Sequence, residues 1–275
     1  MINLEFELAN RGYDVDTTYR LGKGGFGKVY AGRRISDNLP VATKCIDSTM
    51  VWHWSEYRVH MEVSNLLKVR LISGAIYMYD WFKIDRGGPY VIVTERSEND
   101  VTLAEYLDCY RLREREAILL FIKIVRIVYD CWLLFGLLHC DVKEENVLVD
   151  IDTGDIKLID FDFVLRDSDK PRTSFCGTLE YAPPEWFLEH EYLPEASAVW
   201  TLGLLFFRLL FHEYPFRSFQ QIRDFSDLNY NPIFIRYKHT FSLNTIRLLT
   251  RLLRVKGKSR MRLVTLYNEL RLLAE

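Results

Sequence analysis

Asp141 and Asn146 stand five residues apart in His139-Cys140-Asp141-Val142-Lys143-Glu144-Glu145-Asn146, and Asp160 follows in Asp160-Phe161-Asp162. A carboxylate such as Asp141 can accept a hydrogen bond from an attacking hydroxyl and take its proton late in the reaction. The Asn146 carboxamide and the Asp160 carboxylate are hard oxygen ligands of the kind Mg2+ prefers. Together the three suit transfer of a phosphoryl group from a metal-bound triphosphate to a hydroxyl. Lys143 lies among them, where a cation would stabilise the group in flight.

Three such residues can coincide on any surface, so the companion elements decide. Leu21-Gly22-Lys23-Gly24-Gly25-Phe26-Gly27-Lys28-Val29 places Gly22, Gly24 and Gly27 so that backbone can approach phosphates unobstructed. A dinucleotide-binding turn shares this spacing but opens a helix. Here Lys28-Val29-Tyr30-Ala31-Gly32 continues as a strand with apolar alternation. Val41-Ala42-Thr43-Lys44 then sets Lys44 among apolar neighbours on the next strand. Glu56 and Glu62 both stand on the following helical segment as partners for Lys44. Val59, Val63, Leu66 and Leu67 form one helical face beside Glu62, which points it inward, whereas Glu56 lies among polar and aromatic residues. Glu62 is the choice.

Downstream, Gly177-Thr178-Leu179-Glu180-Tyr181-Ala182-Pro183-Pro184-Glu185 completes a set that resembles the protein kinases. Two positions depart from that pattern: Cys140 stands where the catalytic loop usually has Arg, and Asp162 where the metal-binding tripeptide has Gly. More narrowly, the chain resembles the Pim-type serine/threonine kinases of the calmodulin-dependent branch. The likeness is carried by Ser36-Asp37-Asn38-Leu39-Pro40-Val41-Ala42, Met61-Glu62-Val63, Asp80-Trp81-Phe82, Glu95-Arg96, Lys157-Leu158-Ile159-Asp160-Phe161 and Pro183-Pro184-Glu185-Trp186. Ala198-Val199-Trp200-Thr201-Leu202-Gly203, with Ala where most kinases keep Asp, adds to it. It runs from about Tyr19 to the C-terminus.

The resemblance implies an α+β, bilobal fold in a single kinase domain. The N-lobe, 1–94, would hold a five-stranded antiparallel sheet and one main helix; a hinge would follow at 95–98, and a mostly helical C-lobe at 99–275. ATP and Mg2+, or Mn2+, are the implied cofactors, with protein Ser or Thr hydroxyls as acceptors. Asp141, Lys143, Lys44, Glu62 and Thr178 are the implied catalytic set, with Thr178 bonding Asp141 and Lys143. Asn146 and Asp160 are the implied metal ligands. The base would rest on Leu21, Val29, Ala42 and Leu148 and bond the main chain of Glu95 and Ser97, behind Thr94. Pim-type kinases carry proline at the Ser97 position, so Ser97 would restore a donor. Glu185 is expected to pair with Arg260 as an architectural contact, and His139 to pack rather than act as a base.

Substrate recognition is expected from carboxylates: Glu145 and Glu105 would read basic residues ahead of the acceptor. The charges near Glu105 read equally well as a solvated helix start. Cys140 removes the guanidinium that would clamp a phosphate on Ser168, Thr173 or Ser174, so activity should not depend on loop phosphorylation. Asp162 replaces a residue of free backbone and adds a carboxylate beside the metal ligands. That makes a pseudokinase scaffold the alternative to an active enzyme.

At 275 residues and 49% hydrophobic, the chain suits one such domain, and its net charge of −2 offers no bulk attraction to nucleic acid or membrane. Five cysteines without C-x-x-C spacing suit a reducing compartment, hence a cytoplasmic protein with access to the nucleus. The opening residues lack a basic-then-apolar signal pattern. The apolar stretches at 117–138 and 196–211 read as buried helices of the large lobe, and a monomer is expected.

Overall fold

The computed structural model describes residues 3–23, 27–46, 56–85 and 87–274. The chain forms two compact units, one made of Met1–Leu71, Ala75–Asp100 and Asp150–Asp155, the other of Ile72–Gly74, Val101–Val149 and Ile156–Glu275. The class is α+β.

The first unit is built on an antiparallel sheet of β1 (Tyr13–Lys23), β2 (Leu-poor Lys28–Arg34), β3 (Leu39–Ile46), β4 (Met78–Lys83) and β5 (Tyr90–Glu95), in the order β1-β2-β3-β5-β4. Register sorts its side chains. Val29 lies opposite Lys44 and Ala31 opposite Ala42, while Ala42 and Lys44 face Thr94 and Ile92 across the next pair. Because a strand alternates faces, these six share one side of the sheet. The other side carries Tyr30, Val41, Cys45, Val91 and Val93, buried with Tyr13, Val15, Phe82 and Ile84.

Helix α1 (Leu4–Asn10) belongs to this core, and sequence reading did not foresee it. Asn3 caps it by accepting from the Phe6 N–H, and Leu8 is fully buried against the sheet residues. One seven-residue turn of helix with a single apolar anchor has too little periodicity to stand out. The main helix of the unit, α2 (Glu56–Val69), buries Val59, Glu62, Val63, Asn65 and Leu66. Leu67 is 47% exposed, so the expected stripe loses that member and gains Asn65.

The second unit is mostly helical. Its α3 (Leu103–Cys109) begins with a capping box of Thr102 and Glu105, and at the start of α4 (Glu114–Phe135) Glu116 Oε2 accepts the Arg113 N–H at 2.8 Å. Then come α5 (Pro184–Glu189), α6 (Pro194–Phe211), α7 (Phe219–Arg223), α8 (Pro232–Tyr237), α9 (Leu243–Leu252) and α10 (Leu263–Ala274). Helix α6 has the length and hydropathy of a membrane span, and 89% of it is buried inside the fold. Its apolar surface is therefore accounted for by core packing, as in the stack of Phe206 on Phe121 with ring centroids 4.4 Å apart. The strand Val147–Asp150 pairs antiparallel with Ile156–Leu158, Val147 opposite Leu158. That hairpin fixes both ends of the segment from Asn146 to Asp160.

Candidate active site

In the first unit Lys44 Nζ donates to Glu62 Oε1 at 2.7 Å, and the Glu62 carboxylate is almost wholly buried. Glu56, the alternative, is held elsewhere: its Oε1 accepts from Lys83 Nζ at 2.9 Å and from the Tyr90 hydroxyl. Gly27 sits where a Cβ would meet the Cys45 carbonyl oxygen at 2.7 Å, so the backbone at 27 approaches β3 as only glycine allows. Gly22 is on β1 opposite Val29, and Leu21 is exposed. Gly24 lies outside the described residues.

The segment after β5 corrects one expectation. The Ser97 N–H is not an open donor: it donates to Asp100 Oδ2 at 2.9 Å. The Glu95 N–H donates to the Tyr77 carbonyl at 2.8 Å. Acidic residues three positions ahead commonly take a turn amide, and no strand or helix pattern reveals it.

In the second unit Asp141 is buried and held from several sides. Its Oδ1 accepts the Thr178 N–H at 2.7 Å and its Oδ2 accepts Asn146 Nδ2 at 3.0 Å, with Lys143 Nζ 3.3 Å from Oδ2. Lys143 Nζ also donates to Thr178 Oγ1 at 2.6 Å. Thus Thr178 joins the set through both its amide and its hydroxyl. Asn146 donates through Nδ2 to the Asp141 carboxylate and, at 2.9 Å, to the Asp141 carbonyl. Asp160 adopts left-handed backbone, φ 64 and ψ 73. Oxygens of Asp160 and Asp162 lie within 4.8 Å of one another. Oxygen donors of this kind fit Mg2+ or Mn2+. Leu148 is half-buried on the hairpin strand beyond.

His139 is buried, with Nε2 2.9 Å from the Ile159 carbonyl and its ring edge-on to Phe161 at 4.9 Å. Desolvation lowers its pKa, so the ring stays neutral and packs.

The two departures from the family pattern behave differently. Cys140 is buried with φ 60, its Sγ donating to the Leu138 carbonyl at 3.3 Å, and burial pushes its thiol pKa up. Gly177, at φ 128, lies so close that a Cβ would meet the Cys140 carbonyl oxygen at 2.6 Å. Asp162 requires no glycine-like backbone: it sits inside the 3-10 turn Phe161–Phe163, and the left-handed residue is Asp160. The expected backbone conflict at 162 is therefore absent.

Of the two carboxylates proposed for substrate, Glu105 is already used. Its Oε2 accepts the Thr102 N–H and hydroxyl, both at 2.8 Å, closing the capping box of α3. The helix-start reading holds for Glu105. Glu145 remains exposed, and desolvation raises its pKa above the ordinary carboxylate value.

Glu144 was missed. It is buried, and it accepts the Tyr181 hydroxyl at 3.0 Å, Arg208 Nε at 3.2 Å and the Tyr214 hydroxyl. It thereby ties the catalytic loop to the segment after Thr178 and to α6. An acidic residue beside an exposed Glu145 reads as a solvated pair, so the only available signal was an Arg within the otherwise apolar α6. Glu185 and Arg260 form the expected bidentate pair, at 2.9 and 2.8 Å.

Residues 15–269 match the family model described as "Protein kinase domain". The chain is 38% identical over 208 residues to the serine/threonine-protein kinase prk-2 of Caenorhabditis elegans, covering 74% of this chain and 46% of that protein. It is 37% identical over 211 residues to the serine/threonine-protein kinase pim-2 of Danio rerio, covering 72% of this chain and 67% of that one. An Aurora kinase of Dictyostelium discoideum is 28% identical over 244 residues, covering 87% of this chain and 61% of the relative. The chain thus spans about half of the first of these and about two thirds of the others.

The Glu144 hub leads to a stability prediction. Glu144→Ala removes the buried carboxylate facing the Arg208 guanidinium, which keeps the His212 carbonyl and, at 3.8 Å, Asp108 Oδ1, and should cost about 1–3 kcal/mol in urea titration. Adding Arg208→Met should recover part of that loss. Purely additive losses would show that the two charges do not depend on each other.

Proposed function

Since the chain belongs to the protein kinase domain family, with serine/threonine kinases among its relatives, we propose that it transfers the γ-phosphoryl group of ATP to Ser or Thr hydroxyls of proteins, as a Pim-type kinase. One observation carries the reading: the buried Asp141 carboxylate is oriented by Thr178, Asn146 and Lys143. Asp141 would orient the acceptor hydroxyl and take its proton late. Lys143 would stabilise the transferring group, and Lys44, steadied by Glu62, would orient the phosphates. Asn146, through its side-chain oxygen, and Asp160 would hold Mg2+ or Mn2+, which neutralises triphosphate charge when bound. Asp141→Asn and Lys44→Met should each abolish peptide phosphorylation in a protein that still folds, at a melting temperature below wild type because each leaves a buried group without its partner. In a thermal-shift titration the wild type should gain more from ATP with Mg2+ than from ATP alone. A wild type with no transfer above these variants, switched on by Asp162→Gly, would establish the pseudokinase alternative.

The loop 164–182 is held without a phosphate, which supports activity independent of phosphorylation. Tyr192 donates its hydroxyl to the Ser174 carbonyl at 3.2 Å and accepts the Cys176 N–H at 3.1 Å. Phe175 packs on Trp186 and Tyr192 at 5.4 and 5.6 Å, and Arg172 bridges Tyr192 through the backbone. Ser168, Thr173 and Ser174 are all exposed. Alanine at all three should leave the rate within a few-fold of wild type. Loss of activity on phosphatase treatment, restored by rephosphorylating one of them, would show that Arg166 or Arg172 has taken over the clamp.

Glu145 supports preference for basic residues ahead of the acceptor, now without help from Glu105. A peptide library should be enriched in Arg or Lys there, and Glu145→Ala should weaken that selection more than it slows turnover of a neutral peptide. Because the Glu145 pKa is raised, its charge is complete only above that value and is lost as pH falls through it. Basic selection should therefore fade on acidification sooner than an ordinary Glu would allow. Enrichment of acidic residues before the acceptor would refute the proposal.

A further inference from the structure

We infer that Asp100 is a specificity-determining residue for the nucleotide base: its carboxylate occupies the Ser97 N–H, and the base is bound without that donor. The inference rests on the nucleotide-binding reading above and adds how the base is recognised. Ser97 has one backbone N–H, and Asp100 Oδ2 accepts it at 2.9 Å. The turn also closes from the other side, the Asp100 N–H approaching the Ser97 carbonyl at 3.5 Å.

Further bonds tether the same turn. Ser97 Oγ donates to Asp150 Oδ2 at 3.1 Å and accepts the Asn99 N–H at 3.2 Å. The Ile151 N–H reaches the Asn99 carbonyl at 3.1 Å, and Asn99 Nδ2 donates to Asp152 Oδ2 at 2.5 Å. Asp150 is itself steadied, its Oδ1 accepting the N–H groups of Asp152 and Thr153 at 3.0 and 2.9 Å. Ser97 is thus pinned through main chain and side chain at once.

The competitor for the donor would be N1 of a purine, a neutral ring nitrogen. A hydrogen bond to an ionised carboxylate is about twice as strong as a neutral one. Handing the N–H to the base would exchange the stronger bond for the weaker and break the tethered turn. The carboxylate therefore keeps the donor when nucleotide binds. Shape and the remaining main-chain groups select the base, and N1 contributes little.

The test compares ATP with 1-deaza-ATP, in which a C–H replaces N1 at nearly the same shape, by calorimetry on the full chain with Mg2+. Wild type should bind the two within about twofold of each other. In Asp100→Ala the Ser97 N–H is released, and ATP should bind about 3–10-fold tighter than 1-deaza-ATP, the range of one neutral hydrogen bond. A wild type that already prefers ATP by that factor overturns the inference, as does an Asp100→Ala protein that binds both alike. Should the variant not fold, the wild-type comparison still decides. If wild type binds neither nucleotide, the nucleotide-binding reading itself has failed, a distinct result that removes the inference with it.

Discussion

The structure depends most on keeping the Asp141 carboxylate buried and aimed. A carboxylate away from water costs several kcal/mol unless donors surround it. Here the donors come from different parts of the second unit: the Thr178 amide, the Asn146 carboxamide and the Lys143 ammonium. Each donor is placed by something else. Asn146 immediately precedes the hairpin strand, Lys143 is bonded to Thr178 Oγ1, and Thr178 follows Gly177, whose backbone angle and close approach to Cys140 only glycine accepts. The carboxylate is thus oriented by groups that are themselves fixed, and preorganisation of this kind is what phosphoryl transfer asks of a protein.

The same constraint recurs at three other acidic residues. Glu62 is buried with Lys44, Glu144 with Arg208 and two tyrosine hydroxyls, and Glu185 with Arg260. Arg260 also donates to the carbonyls of Ala196, Arg254 and Val255. Buried pairs gain little net stability over apolar packing, yet they allow only one arrangement of the segments that carry them. Their placement follows that logic. Lys44 is fixed against α2, the segment 141–146 is joined to α6, and the end of the loop 164–182 is anchored to the segment before α10.

Much of this was legible. The motif residues that bond to one another, Lys44 with Glu62 and Asp141 with Thr178, were identifiable because spacing, apolar neighbours and the family pattern agreed. The five-stranded sheet followed from the family resemblance, and the two long helices of the second unit from their apolar stretches. What was not legible shares a physical cause. Glu105, Asp100 and Glu144 are carboxylates whose partners are a helix-start amide, a turn amide and an arginine 64 residues away. Nothing in local sequence says whether an Asp or Glu faces solvent, caps a backbone group or closes a distant pair. Leu67 was misplaced for a related reason, since a stripe read at 3.6 residues per turn blurs at its edges, where Asn65 took the buried position. At Asp162 the expectation followed residue type, whereas the left-handed backbone belongs to Asp160.

Cys140 shows how a missing charge is absorbed. An arginine there would bring a guanidinium needing partners, and its natural partner would be an anion on the neighbouring loop. A buried thiol needs only a weak acceptor, which the Leu138 carbonyl provides. Aromatic packing holds the neighbouring loop. Phe175 lies against Trp186 and Tyr192, and the Tyr192 hydroxyl bonds main chain on both sides of Phe175. These contacts depend on neither phosphate nor salt, because apolar contact and backbone bonding are not screened as surface charge is. The thiol at 140 leaves the left-handed backbone there intact, and Asp141 still accepts the Thr178 amide.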